Sequence, residues 1–133
     1  RQIILKTLEA NEAKGRRKYL RINCANLHYT ELNLKKQDRL LSGKIKDISA
    51  VGMAFSFEDE VILEIHSKLT DIQLKLKGKI AHVSGPVMGK RNSGAETIYV
   101  MLFDKDTTAD TRTRIYSFMY DTLQEEIKKI MAG

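Results

Sequence analysis

The 133-residue chain has one cysteine, Cys24, and no tryptophan. A lone cysteine excludes an internal disulfide and a cysteine-built zinc cage. It suits a reducing compartment, and a cytoplasmic location is expected. No apolar run approaches the roughly 18 residues that a membrane-crossing helix needs, and the start shows no signal-peptide pattern. With no tryptophan, stacking platforms for single-stranded nucleic acid are scarce. The first residue is Arg1 rather than Met, which is read as the start of a fragment with residues upstream.

What is present suits one soluble domain. Apolar residues make up 42% of the chain and charged residues 30%, enough of the first to bury a core. The net charge of +6 favours an anionic partner such as a nucleotide, a nucleic acid or an acidic surface. Placing the arginines decides between them.

Residues 1–13 carry a short helical signal in Ile3, Ile4, Leu5 and Leu8, and Lys14-Gly15-Arg16 reads as a hinge. From Tyr19 the pattern shortens. A strand is expected over 20–32, with its apolar face switching at a bulge near Ala25, and a loop or hairpin end over 33–41. Strands follow at about 43–48 and 51–57, with a turn at Ser49-Ala50-Val51-Gly52. Residues 61–65 read as a short strand or turn, and 71–84 as one bent strand or two paired ones. Glycine, proline and serine over 84–96 predict a long hairpin loop, and 97–103 a further strand. A helix is expected over 108–131, capped by Asp110, with Tyr116, Met119, Tyr120, Leu123, Ile127, Ile130 and Met131 in one stripe. Short strands followed by one helix predict a mainly β fold: a small antiparallel barrel with a helix closing one end.

Two segments carry chemistry. Along a strand Arg17, Tyr19 and Arg21 point the same way, and Arg16 precedes them. A guanidinium grips phosphate oxygens in pairs, bonds guanine O6 and N7 together, or stacks on a base. In the turn, Asp47 offers a carboxylate that accepts both N1–H and N2–H of guanine. Ser49 donates to a ligand or ties the turn to its own backbone, and Gly52 permits close approach or a positive φ. Each segment alone is ordinary: a basic start to a strand, and a polar turn.

Together they form Arg-x-x-x-Arg followed by Asp-x-Ser-x-x-Gly. This pair, in this layout of strands and final helix, resembles the PilZ domain family over about residues 14–125. The resemblance implies a six-stranded β-barrel with a C-terminal α-helix, here with a short N-terminal helix. It also implies a receptor, not an enzyme, for the bacterial second messenger cyclic di-GMP. The ligand positions it carries over are Arg17, Arg21, Asp47, Ser49 and Gly52, with Arg16 as the additional arginine. His82 falls where members often carry a large side chain beside the ligand, and its ring could stack on guanine. A plain strand histidine is the competing reading. One departure is visible: Val100-Met101-Leu102-Phe103 keeps the phenylalanine of the family's Gly-x-x-Phe and lacks its glycine.

The expected domains are a helical segment or end of an upstream region at 1–13 and the barrel with its helix at 14–133. The output is expected to pass through a protein partner or an upstream domain. No nucleic-acid polymer, cofactor or metal is expected. Two alternatives stay open: a basic nucleic-acid-binding barrel, and a degenerate member acting only on protein. Other near-motifs fail. Residues 85–91 have three residues rather than four between their glycines and lack the Ser or Thr of a P-loop. Asp104, Asp106 and Asp110 lack the glycine of a calcium loop. His28, His66 and His82 have no metal-ligand spacing.

Overall fold

The structure, a computed structural model, describes residues 20–25, 27, 30–36, 38–58 and 61–132. The expected helix at 1–13, its hinge, and Arg16 and Arg17 lie outside the described residues. Seven strands and one helix follow in order: β1 (Arg21–Asn23), β2 (Thr30–Lys36), β3 (Arg39–Ser49), β4 (Gly52–Phe57), β5 (Lys68–Leu76), β6 (Lys79–Ser93), β7 (Glu96–Leu102) and α1 (Ala109–Ala132).

The sheet closes on itself. Its order β3–β2–β5–β6–β7–β4 returns to β3 through the β3–β4 pairing, and every pairing is antiparallel. This is the expected six-stranded barrel with one extra strand. Closure leaves no open edge in the ring. The extra strand, β1, continues the edge that β2 occupies. Asn23 pairs with Asp47 and Leu32 with Gly43, so both segments lie along β3. The expected strand over 20–32 is therefore interrupted: the chain leaves β3 after Cys24, whose amide donates to the Lys46 carbonyl.

Alternation fills the barrel. Leu32 and Leu34 of β2, Leu41 and Ile45 of β3, and Ile72, Leu74 and Leu76 of β5 are buried. Their neighbours on each strand point outward, as a period of two requires. The stretch 33–41 is thus a hairpin end, one of its two expected readings, with Ser42 Oγ donating to Asn33 Oδ1 on the outer face.

Residues 71–84 are two paired strands, joined at Lys77-Gly78, where φ is 52° and 83°. Two consecutive positive φ values make the tight hairpin that matches strand twist. The loop expected over 84–96 is instead paired strand up to Ser93, turning at Gly94 with φ 64°. Its glycines mark close approach and irregular pairing rather than a loop. A Cβ on Gly85 would overlap the Leu102 carbonyl, and the β6–β7 register shifts between Val87 and Gly89.

Residues 61–67 form no strand. They strap the barrel: the buried Tyr99 hydroxyl donates to the Val61 carbonyl at 2.7 Å and accepts from the Leu63 amide at 3.1 Å.

Helix α1 begins at a Thr108 cap, whose Oγ1 accepts from the Thr111 amide at 3.2 Å. Asp110 is not that cap. It lies in the first turn, favourable to the helix dipole, and its carboxylate accepts from Arg114 Nε at 3.1 Å. Ile115, Phe118 and Met119 are buried against the barrel. Tyr116, Tyr120, Ile130 and Met131 of the expected stripe are exposed. The helix carries two overlapping apolar series, which periodicity alone had merged.

Candidate functional site

A β-bulge builds the site. In β3, Ile45 pairs with Phe55 but Asp47 pairs with Ala54, so Lys46 is one residue extra. Before the bulge Leu41, Gly43 and Ile45 are buried; after it, Ile48 is. An unbroken alternation would have turned Asp47 into the core. The extra residue keeps Ile48 inside and brings Asp47 to the outer face.

On that face Asp47 meets β1. Arg21 pairs with Ser49 and Asn23 with Asp47, so Arg21 reaches diagonally across the two strands. Its Nη1 donates to Asp47 Oδ1 at 3.2 Å. The side chains are 38% and 24% exposed, so the pair is reachable from solvent while partly shielded. Beneath it lies Cys24, fully buried. Burial and the Asp47 charge push its thiol up to about 12, which leaves it protonated and inert.

The turn after β3 is locked internally. Ser49 is buried; its Oγ accepts from the Val51 amide and donates to the Gly52 carbonyl, both at 3.3 Å. The Val51 carbonyl in turn accepts from the Phe103 amide at 2.8 Å. Gly52 pairs with Leu102, and a Cβ there would overlap the Met101 carbonyl oxygen. The glycine therefore answers to β7, and Ser49 to its own turn. Both shape the mount on which Asp47 stands.

Arg21 also opens onto a groove of about 490 Å³ between β1 and the C-terminal half of α1. Asn23, Leu27, Leu123, Glu126 and Lys129 border it. Sequence reasoning missed these neighbours. Asn23 was findable, two residues after Arg21 on one strand face. Glu126 and Lys129 had no signal, because only the path of α1 across the barrel end brings them there.

His82 stands elsewhere. It is exposed on β6, three strands from β3 by either route around the barrel, with its Nδ1 4.0 Å from Asp71 Oδ1. Its carbonyl accepts from Thr111 at the start of α1, whereas the Arg21 groove begins at Thr122. Eleven helical residues separate those points, about 17 Å. Of the expected ligand residues, the structure brings together Arg21, Asp47, Ser49 and Gly52, and not His82.

The model of the PilZ domain family matches residues 15–121, a span that holds both motifs. The chain belongs to the PilZ family. No curated protein matches it by sequence. Among solved structures, this PilZ domain is similar to the PilZ domain with c-di-GMP of YcgR from Escherichia coli. That match has 17% identity and a TM-score of 0.68, covering 86% of this chain and 97% of that one. It is also similar to the K. pneumonia MrkH–c-di-GMP complex, with 20% identity, a TM-score of 0.71 and coverage of 86% and 55%. A third is the Bacillus subtilis inhibitor of motility MotI/DgrA, with 15% identity, a TM-score of 0.65 and coverage of 86% and 52%. At these identities the likeness is one of fold. The chain spans nearly all of the first, which is a PilZ domain alone, and about half of the other two; of a longer YcgR chain in complex with c-di-GMP it spans 50%. No helix among the described residues is long and apolar enough to cross a membrane.

Proposed function

We propose that this PilZ domain is a receptor for cyclic di-GMP. The observation that carries the reading is the Arg21–Asp47 pair on the outer barrel face, aimed outward by the β3 bulge and seated on the Ser49–Gly52 turn. A cation and a carboxylate side by side suit a ligand with both phosphates and guanine edges. Asp47 takes guanine N1–H and N2–H, and Arg21 holds Asp47 in position while its remaining N–H groups meet phosphate or the base. Arg17 and Arg16, a few residues upstream, supply the further cations. Ser49 and Gly52 act by holding the turn. That solved structures of the same fold include c-di-GMP complexes supports the reading.

The role, in this reading, is recognition rather than catalysis. In this reading the arm at 14–21 becomes ordered when the anionic ligand bridges it to the barrel, and this relays the second-messenger level to a protein partner or further domain in the cytoplasm. Hydrogen exchange over 14–21 that is identical with and without ligand would remove the relay while leaving the receptor.

Calorimetric titration tests the receptor. Cyclic di-GMP binds the parent at micromolar concentration or tighter, and Arg21→Ala and Asp47→Ala each abolish binding. Their folding stability falls by no more than about 1 kcal/mol, because the pair is partly exposed. His82→Ala binds within twofold of the parent. An absence of heat from the folded parent would sink the proposal.

A further inference from the structure

Arg21 stands between two carboxylates. On one side it donates to Asp47. On the other it opens onto the groove between β1 and α1, where Glu126 is the one carboxylate among the described lining residues. Asn23 lines the groove and pairs with Asp47, so the groove begins about one strand spacing, roughly 5 Å, from the Asp47 backbone.

The groove suits a flat base. Leu27 and Leu123, both packed on the core, give it apolar walls, and its volume of about 490 Å³ lies within the range of small-molecule sites. Its polar groups divide sharply. Asn23 Oδ1 accepts from the Ala25 amide at 2.9 Å, so what the side chain still offers is its NH2 group. Arg21 keeps N–H groups beyond the one given to Asp47, and Lys129 adds an ammonium. The Thr122 hydroxyl is buried and gives its proton to the Phe118 carbonyl at 2.8 Å. The open acceptor is therefore Glu126. Its side chain is 54% exposed, and Lys129 Nζ stands 3.7 Å from Oε1, too far for a hydrogen bond.

Donors around one open carboxylate match guanine. That base presents N1–H and N2–H side by side, with the acceptors O6 and N7 next to them. Adenine sets the N1 lone pair beside its N6–H, and a carboxylate is repelled by it. We propose that the β1–α1 groove holds the guanine of cyclic di-GMP that Asp47 does not hold, with Glu126 taking its N1–H and N2–H. Asn23 and Lys129 face its O6 and N7. The inference rests on the receptor reading and adds to it a specificity-determining residue on α1.

Calorimetric titration of Glu126→Gln tests it, with cyclic di-GMP and the mixed cyclic GMP–AMP dinucleotide as probes. Glutamine keeps the size of the side chain but has only one acceptor oxygen and no charge. Long-range electrostatics alone would tighten binding, because the change removes a negative charge beside an anionic ligand. The specific contact predicts the opposite: cyclic di-GMP binds about tenfold or more weakly. The parent prefers cyclic di-GMP to the mixed dinucleotide by about tenfold or more, and Glu126→Gln brings the two within about threefold of each other. Cyclic di-GMP binding as tight as the parent's, or a loss that falls equally on both dinucleotides, overturns the groove assignment and leaves the receptor reading standing. A folded parent that binds no cyclic di-GMP overturns both.

Discussion

Gly52 lies against the Met101 carbonyl so closely that no side chain fits between β4 and β7 at that point. The glycine of the Asp-x-Ser-x-x-Gly motif is thus set by barrel closure, three residues from the Ser49 hydroxyl that locks the same turn. Gly52→Ala should destabilise the fold by about 1–3 kcal/mol through overpacking. Urea unfolding checks this: the midpoint falls with the slope unchanged. A midpoint equal to the parent's would mean that β7 yields freely and that the glycine serves something else.

Much of this site was legible before the structure. Arg21, Asp47, Ser49 and Gly52 were marked by residue type and spacing, and the strands around them by alternation. The β3 bulge left only a faint mark, a spacing of three between Ile45 and Ile48 after the alternation of 41, 43 and 45, which the sequence reading did not use; the bulge turns Asp47 outward. The hairpin at 84–96 was read as a loop because glycine and proline dominate it. In a closed barrel those glycines serve close approach and a register shift. On α1, two apolar series share one period, so a single stripe was read where Phe118 faces the barrel and Tyr120 faces water. The groove beside Arg21 joins β1 to Glu126 and Lys129, more than 100 residues along the chain, and no local pattern reports such a juxtaposition.

Glu96 gives the barrel an acid-sensitive contact. Lys46 Nζ lies 2.6 Å from its carboxylate, and with the Ser56 hydroxyl it holds the carboxyl below its ordinary value of 4.5. A carboxyl whose folded pKa is depressed contributes stability that is fully present above the unfolded value. That stability is lost as pH falls through the folded one. The parent should therefore exceed Glu96→Gln in urea midpoint at pH 7, and the gap should close below about pH 4.5. Salt should narrow it as well, since Glu96 is 38% exposed. A gap that persists unchanged into acid would assign the Glu96 effect to packing instead.

Cys24 should be silent in the native protein. Its thiol is fully buried, donates to the Ile22 carbonyl at 3.5 Å, and is pushed up to about 12 by burial and the Asp47 charge. A thiol reagent at pH 8 should react at the rate of unfolding in buffer and within seconds in concentrated urea. Asp47→Asn removes part of the upward push but none of the burial, so the native protection should remain. Rapid native labelling would show that β1 opens from β3 well short of global unfolding.

The strap over 61–67 hangs on one hydroxyl. Tyr99 donates to Val61 and accepts from Leu63, whose amide lies among buried atoms, while its ring stands 6.0 Å from that of Phe55. Tyr99→Phe keeps the ring and its packing but leaves the Leu63 amide without its acceptor. An orphaned buried donor costs about 1–3 kcal/mol, more than the net worth of an average hydrogen bond. Hydrogen exchange separates a local effect from a global one. Amide protection should fall at Leu63 by more than it falls in β5 or β6, because the strap can lift while the ring of paired strands stays closed. Equal losses throughout would mean that the strap and the barrel open as one unit, and that the Tyr99 hydroxyl supports the whole fold rather than its surface.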